Sequence, residues 1–215
     1  MPSAKQALHS VLEAGAWIIR TPLALFVIIG GLLIDSVIRI FLTFGSAYYR
    51  LIDLPEASYG FFGASLAGLG MVVSPLARRL VTSGSVLRSY TALAVLALLG
   101  LLGVSLHIPF WGVAFTLPLA AAIAAVGFAV SLYLNAAVDS RHRATVLSFK
   151  GLAFNLGYGF VSLLFALALR AYRDTGSAAD GFAGALALLP VWFVFTLLVL
   201  ALMFWRHREV LRRRF

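Results

Sequence analysis

The sequence contains no cysteine and little charge. Without thiols the chain can form no disulfide, no thiolate metal site and no cysteine nucleophile. Only 12% of its 215 residues are charged and 62% are hydrophobic, whereas soluble domains contain about 25% charged and about 45–50% apolar residues. Mean hydropathy is +0.99. This composition predicts an integral membrane protein.

The sequence also lacks the motifs of intramembrane enzymes. No HExxH zinc motif occurs, and the four histidines, at positions 9, 107, 142 and 207, fall at predicted helix ends or outside them. A serine protease of the membrane needs a histidine at depth, so Ser65 has no candidate base. We therefore expect no enzyme activity, no cofactor and no metal site. The first 20 residues lack a continuous apolar core and a small-residue cleavage site, so they do not resemble a secretory signal.

Long apolar runs indicate how the chain crosses the membrane. A bilayer core about 30 Å thick requires roughly 20 apolar residues of helix, because backbone groups in lipid must bond within their own segment. Six such runs occur: Pro22 to Tyr48, Ser58 to Leu80, Arg88 to Leu106, Pro109 to Val138, Arg143 to Tyr172, and Gly181 to Trp205. The breaks between them are too short for another domain. The sequence predicts an all-α protein with a six-helix transmembrane domain over residues 21–206.

The distribution of Lys and Arg predicts the orientation. Cytoplasmic loops carry the excess of positive charge, and twelve of the 17 cations fall on one side of the predicted spans: Lys5, Arg20, Arg78, Arg79, Arg88, Arg141, Arg143, Arg206, Arg208, Arg212, Arg213 and Arg214. The other side has Arg50, Arg170 and Arg173. Both termini are expected to be cytoplasmic. This role accounts for the formal charge of +9, so no nucleic-acid partner is expected.

The segments outside the spans are short. In residues 1–20, apolar side chains recur at spacings of three and four, as Leu8, Val11, Leu12 and Ile19. This pattern predicts an amphipathic helix on the cytoplasmic surface, and a frayed tail is the alternative. Residues 207–215 are expected to form a basic cytoplasmic tail.

The second predicted span is rich in small residues. They recur three or four positions apart: Gly60, Gly63, Ala64, Ala67, Gly68 and Gly70. Small residues allow helix backbones to approach closely in lipid. We expect this stripe to pack against a neighbouring helix; the alternative is that the helix slides against its neighbour.

The fifth predicted span carries a polar stripe. Gly151, Asn155, Tyr158 and Ser162 are separated by four, three and four residues, so they share one side of a helix. Polar groups facing lipid are expensive, and the stripe should face the bundle or a cavity. Both hydrogen bonding between helices and contact with a substrate remain open. Lys150, about 10 Å from the helix start at 1.5 Å per residue, is expected to extend to the cytoplasmic interface, with substrate binding as the alternative.

The first predicted span contains two charges, in "GGLLIDSVIRIFLTFG", residues 30–45. Asp35 and Arg39 are four residues apart with the acid first, the order in which an intrahelical ion pair forms well. They lie roughly 20 and 25 Å beyond Pro22, where an isolated charge costs at least about 2.5–3.5 kcal/mol. Either the pair is a salt bridge that stabilises the bundle, with Arg39 reaching toward the outer headgroups, or it is functional. In the functional case, Arg39 attracts an anionic substrate group or Asp35 is a proton-linked carboxylate.

Three segments resemble the C-terminal six-helix half of a major facilitator superfamily (MFS) transporter. "GLGMVVSPLARRLVTSGSVLR", residues 68–88, resembles the glycine-rich helix end and basic loop of its second half, without the usual loop acid. "YLNAAVDSRHRATVLSFKGLAFNLGYG", residues 133–159, is similar to the junction between its tenth and eleventh helices. "RTPLALFVIIGGLLIDSVIRIFLTFGSAYY" resembles a seventh helix that follows a central linker, and residues 5–20 would be the surface helix of that linker.

The resemblance implies two inverted three-helix repeats and a secondary transporter that works by alternating access. The superfamily normally uses twelve helices, so this chain corresponds to half. It would pair with a second copy or with a separate N-terminal half about an axis along the membrane normal. The implied cavity residues are Asp35, Arg39, Asn155 and Tyr158, with a small-molecule substrate or coupling ion. The expected location is a bacterial inner (plasma) membrane. The alternative is a membrane scaffold or accessory subunit that does not transport.

Overall fold

The chain is all-helical in the computed structural model, which describes residues 4–140, 142–173 and 178–212. The α-helices of the described part are α1 Ala4–Arg20, α2 Pro22–Thr43, α3 Gly45–Leu51, α4 Tyr59–Ser83, α5 Val86–Ser105, α6 Thr116–Ala137, α7 Arg143–Arg173, α8 Ala178–Phe204 and α9 Arg208–Leu211. Short 3-10 turns cover Glu56–Ser58, Trp111–Phe115 and Trp205–His207. No strand is found among the described residues.

Among the described residues, six helical segments are long and apolar enough to cross a membrane, which confirms the predicted number of spans. The first predicted span divides at Phe44 into α2 and the short helix α3. The fourth begins with the 3-10 turn Trp111–Phe115 before α6. The ends that carry the arginines predicted to be cytoplasmic lie together, because the spans alternate in direction; we call this the arginine-rich end. Arg141, Arg213 and Arg214 lie outside the described residues.

The spanning helices form two layers. In the main contacts, α2 packs against α7 and α8, α6 packs against α4 and α5, and α2 and α6 pack against each other. We call the layer α7, α2, α6, α4 the front layer, with α8 and α5 behind it as the rear layer. Helices α4 and α7 are therefore the flanks of the front layer. The six spans can be divided into two consecutive triplets: α2, α4, α5 and α6, α7, α8. The first helix of each triplet contacts the second and third helices of the other triplet.

Helix α2 occupies the centre because it combines apolar side chains with two glycines. Val27, Val37 and Ile38 are fully buried, which follows from an apolar surface on several sides of the helix. A Cβ atom at Gly31 would lie 2.5 Å from Val130 Cγ2 and 2.9 Å from the ring of Phe154. Only glycine lets α2 approach α6 and α7 this closely.

Both ends of the described chain pack on the arginine-rich end. Helix α1 contacts α7 and α2, burying Ala14 and Ile18 while Leu12 and Ile19 remain exposed. It is a continuous helix with an exposed apolar side, as an amphipathic surface helix requires. The expected basic tail includes the short helix α9, which contacts α2 and α5 and buries Leu211.

Replacing Gly31 by alanine should destabilise the bundle. The new Cβ would overlap Val130, so we expect the free energy of unfolding to fall by about 1–3 kcal/mol. Gly127→Ala on α6 is the matched control, because nothing lies within 4 Å of its added Cβ and alanine favours helix; its stability should be unchanged or slightly higher. Equilibrium unfolding in detergent micelles compares the two variants. Equal stabilities would contradict the close crossing at Gly31.

Candidate functional site

The two charges of the first span form an ion pair within α2. Arg39 Nη2 lies 2.6 Å from Asp35 Oδ2, one helical turn apart. Asp35 is buried, with 6% of the residue exposed, whereas one third of the Arg39 side chain is exposed. The predicted intrahelical pair is confirmed.

Arg39 also reaches across to α7. Its Nη1 donates a hydrogen bond to Asn155 Oδ1 over 3.1 Å, and its guanidinium carbon lies 5.3 Å from the centre of the Tyr158 ring. The Tyr158 hydroxyl in turn hydrogen-bonds the Thr43 hydroxyl at 3.0 Å. The four residues predicted from the sequence are therefore in one place. We call Asp35, Arg39, Thr43, Asn155 and Tyr158 the polar cluster.

Helical spacing explains how these residues meet. Asp35, Arg39 and Thr43 are at successive steps of four on α2, so they share a side of the helix. Asn155 and Tyr158 are three apart on α7, which packs against α2. Thr43 was not among the residues predicted from the sequence. Its spacing of four from Arg39 was the available signal, but a threonine within a predicted span often only hydrogen-bonds the carbonyl four residues before it, as Thr43 also does with Arg39.

The sequence led us to expect that Lys150 extends toward the arginine-rich end, but in the structure its side chain is bound to α6. Its Nζ donates to Ser131 Oγ on α6 at 3.2 Å and lies 5.3 Å from the centre of the Phe154 ring. Lys150 also interacts electrostatically with Asp35. Two cations, Arg39 and Lys150, therefore interact with the buried carboxylate of Asp35. The formal charge of the three groups together is +1.

The polar cluster opens on the outside of this six-helix bundle. Thr43 and Asn155 are exposed, and Arg39 and Tyr158 are half-buried. Groups of this kind at membrane depth normally face protein or a water-filled space, because acyl chains offer neither charge nor hydrogen bonds. The opening therefore has to be covered by something other than hydrocarbon.

The small residues of α4 do not pack within the chain, contrary to the sequence expectation. No atom lies within 4 Å of a Cβ added at Gly60, Gly63, Gly68 or Gly70, and α4 has its principal contacts with α6 alone. One outward side of α4 is a stripe at spacings of three and four, formed by Gly60, Gly63, Ala67, Gly70 and Ser74. The opposite side carries the exposed apolar residues Phe61, Val72 and Leu76.

Helix α7 shows the same division. Its small or polar stripe comprises Ser148, Gly151, Asn155, Gly159 and Ser162, and nothing lies within 4 Å of a Cβ at Gly151 or Gly159. The adjoining stripe is large and apolar, with Leu152, Leu156, Phe160, Leu163 and Leu167, all of which are more than half exposed. Large apolar side chains suit lipid, and small residues suit close helix contact. Both flanks of the front layer therefore carry a stripe suited to another protein surface.

No protein-family model, curated protein or solved structure matches this chain.

Breaking the Asp35–Arg39 pair should cost more than breaking an exposed pair. In Asp35→Asn or Arg39→Gln the remaining charge keeps its partly buried position, so we expect a loss of about 2–4 kcal/mol in unfolding free energy. The double variant should lose less than the sum, by about 1–3 kcal/mol. Arg50→Gln is the control, because its 3.3 Å contact with Glu56 is exposed and should contribute at most about 1 kcal/mol. Additive effects in a double-mutant cycle would show that the pair contributes nothing.

Proposed function

We propose that the chain is half of an MFS-type secondary transporter, which moves a small molecule with an anionic group by alternating access. The observation that carries the proposal is the polar cluster: a guanidinium at membrane depth, held by a buried carboxylate and an exposed amide, on a surface open to the outside of the bundle. A group serving only stability would be closed in by its own bundle.

The chemistry of the cluster suits an anion. Arg39 and Asp35 of the cluster, counted together with Lys150, which interacts electrostatically with Asp35, leave an excess of one positive charge. Guanidinium groups bind carboxylate and phosphate oxygens with two parallel hydrogen bonds. The Arg39 hydrogen bond to the exposed Asn155 amide can be exchanged for a ligand oxygen at little cost, since the amide can then bond water. Asp35 competes with the same anion for Arg39. Protonation of Asp35 would release Arg39 for the ligand, so the proton is the proposed coupling ion.

The contact pattern of the helices supports the proposed fold. Three consecutive spans reverse the direction of the chain, so a second triplet of the same kind is an inverted repeat of the first. The interlocked contacts, α2 with α7 and α8, and α6 with α4 and α5, are related by exchanging the two triplets. This is the arrangement that the inverted-repeat hypothesis requires.

The two small-residue stripes support pairing with a second six-helix half. Consider a copy related by a two-fold axis along the membrane normal, with the front layers facing each other. Rotation brings α4 of one copy opposite α7 of the other, because α4 and α7 are at opposite flanks. Both stripes would be covered, and the polar clusters would line a shared space between the halves. The arginine-rich ends would lie together on the proposed cytoplasmic side, in an inner membrane of bacterial type.

A scaffold or accessory subunit is the alternative function. It is favoured by one observation: this bundle alone does not enclose the polar cluster, so the chain without a matching half has no two-sided cavity. In that case the stripes of α4 and α7 would contact an unrelated membrane protein, and the complex would be stable and show no uptake.

The absence of cysteine allows a test of alternating access without a known substrate. Asn155→Cys introduces the only thiol at the proposed cavity, so in reconstituted vesicles a membrane-impermeant maleimide should label it from either side. Leu156→Cys is the matched control; the neighbouring residue is 66% exposed on the large apolar stripe, where lipid should keep the thiol protonated and unreactive. Labelling of position 155 from one side only, or not at all, would exclude the transporter proposal and favour the scaffold.

Cross-linking tests the proposed pairing. The residues Ala67 on α4 and Gly159 on α7 are both roughly 24 Å from the arginine-rich ends of their helices. We expect Ala67→Cys and Gly159→Cys, carried on separate copies and mixed, to form a covalent dimer on oxidation in membranes. The control pair Val72→Cys and Leu156→Cys, from the large apolar stripes, should remain monomeric. A dimer in the control pair alone would place the interface on the other side of these helices, and no dimer in either pair would indicate a different partner.

A further inference from the structure

A second outward-facing feature lies away from the polar cluster. A cleft of about 380 Å³ runs between α2, α5 and α8. Its walls are almost wholly apolar, including Phe26 and Ile34 of α2, Val95 and Leu98 of α5, and Leu197 and Leu198 of α8. Unlike the stripes of α4 and α7, this surface consists mostly of large side chains. It therefore suits a flexible apolar occupant better than a closely packed helix.

The position of the cleft matches one leaflet of a bilayer. Its lining on α5 extends from Leu87 to Leu98, about 16 Å at helical rise, which is half of a hydrocarbon core about 30 Å thick. On α2 the lining begins at Phe26, near the helix start, and on α8 it ends at Ala201, near the helix end. All three limits place the cleft at the arginine-rich end.

Two arginines and a tryptophan follow the lining residues of α5 and α8 toward the arginine-rich end. Arg88 is exposed and lies three and seven residues before the lining residues Thr91 and Val95, so it continues their stripe toward the surface. Trp205 is 64% exposed and is four residues beyond the lining residue Ala201. The guanidinium carbon of Arg208 lies 5.1 Å from the centre of the Trp205 ring.

Contacts between helices bring together the elements that carry these groups. The ring of Phe204, next to Trp205, packs 5.1 Å from that of Phe26, which lines the cleft. Helix α9, which begins at Arg208, contacts α5 and α2. In the described part of the chain, no carboxylate lies within ion-pair distance of the Arg88 or Arg208 side chain. Their charges are therefore available to an external anion.

We propose that this cleft binds an anionic phospholipid of the leaflet at the arginine-rich end, with an acyl chain between α5 and α8 and the headgroup phosphate held by Arg88 and Arg208. Tryptophan is enriched at the level of lipid headgroups, so Trp205 places the mouth at that depth. Clusters of basic residues at this position attract acidic lipids. The site is separate from the proposed transport function and does not depend on it.

Native mass spectrometry of the intact chain tests the site, with phosphatidylglycerol and phosphatidylcholine of identical acyl chains as the probes. Arg88→Gln with Arg208→Gln should weaken retention of phosphatidylglycerol by about 30-fold, equivalent to about 1 kcal/mol for each cation near the surface, and leave phosphatidylcholine unchanged. Arg78→Gln with Arg79→Gln removes the same charge from the end of α4 and should have little effect. Equal losses in the two double variants would overturn the proposal, because they would reflect net charge alone.

A second pair of variants tests the acyl chain. Ala94→Phe fills the cleft and should lower retention of the lipid by about tenfold without changing charge, whereas Ala92→Phe, two residues away on the same helix and outside the lining, should not. Inorganic phosphate and glycerol phosphate should not displace the lipid, because they lack the apolar part. Displacement by either, or retention unaffected by Ala94→Phe, would show that the arginines bind a free anion and would overturn the lipid site.

Discussion

Hydrocarbon provides no partner for a charge or a hydrogen bond, and this constraint governs each level of the structure. It requires the backbone to be helical across the membrane. It requires Asp35 and Arg39 to meet each other, and then requires Arg39 to find Asn155 on another helix. Because the polar cluster still opens outward after these contacts, the same constraint requires that protein or water, and not acyl chains, covers the front layer.

The glycines of the chain do two different things. Gly31 is covered, and its missing side chain lets α2 pass close to α6 and α7, which sets the distance across which Arg39 reaches α7. The glycines of α4 are uncovered, and within the chain their small size has no structural purpose. A stripe of small residues on the surface is explained if a second helix packs closely against it. The buried Gly31 thus sets the geometry of the polar cluster, and the exposed glycines of α4 indicate that another helix covers this surface.

Much of the fold was accessible from sequence because it depends on local patterns. Run length gave the six spans, and the spacing of four between Asp35 and Arg39 gave their ion pair. Contacts between helices were less accessible. Nothing local indicates that Lys150 turns to Ser131 instead of extending along its own helix, or that Thr43 lies beside Tyr158. The fate of the α4 glycines was also beyond sequence reasoning, since small residues indicate close packing without indicating whether the partner belongs to the same chain.

Helix α2 connects the two outward surfaces. Its residues Phe26, Gly30 and Ile34 line the rear cleft, and the next residue after Ile34 is Asp35 of the polar cluster. A helix with both surfaces on it cannot tilt or rotate without changing both. If α2 tilts against α5 and α8 while the proposed halves rock about the front interface, the width of the rear cleft changes as well, since α5 and α8 pack on the same helix. A lipid held in that cleft would therefore favour the conformation in which the cleft is widest. Lipid composition would then act on the front layer through α2, with no direct contact between lipid and substrate.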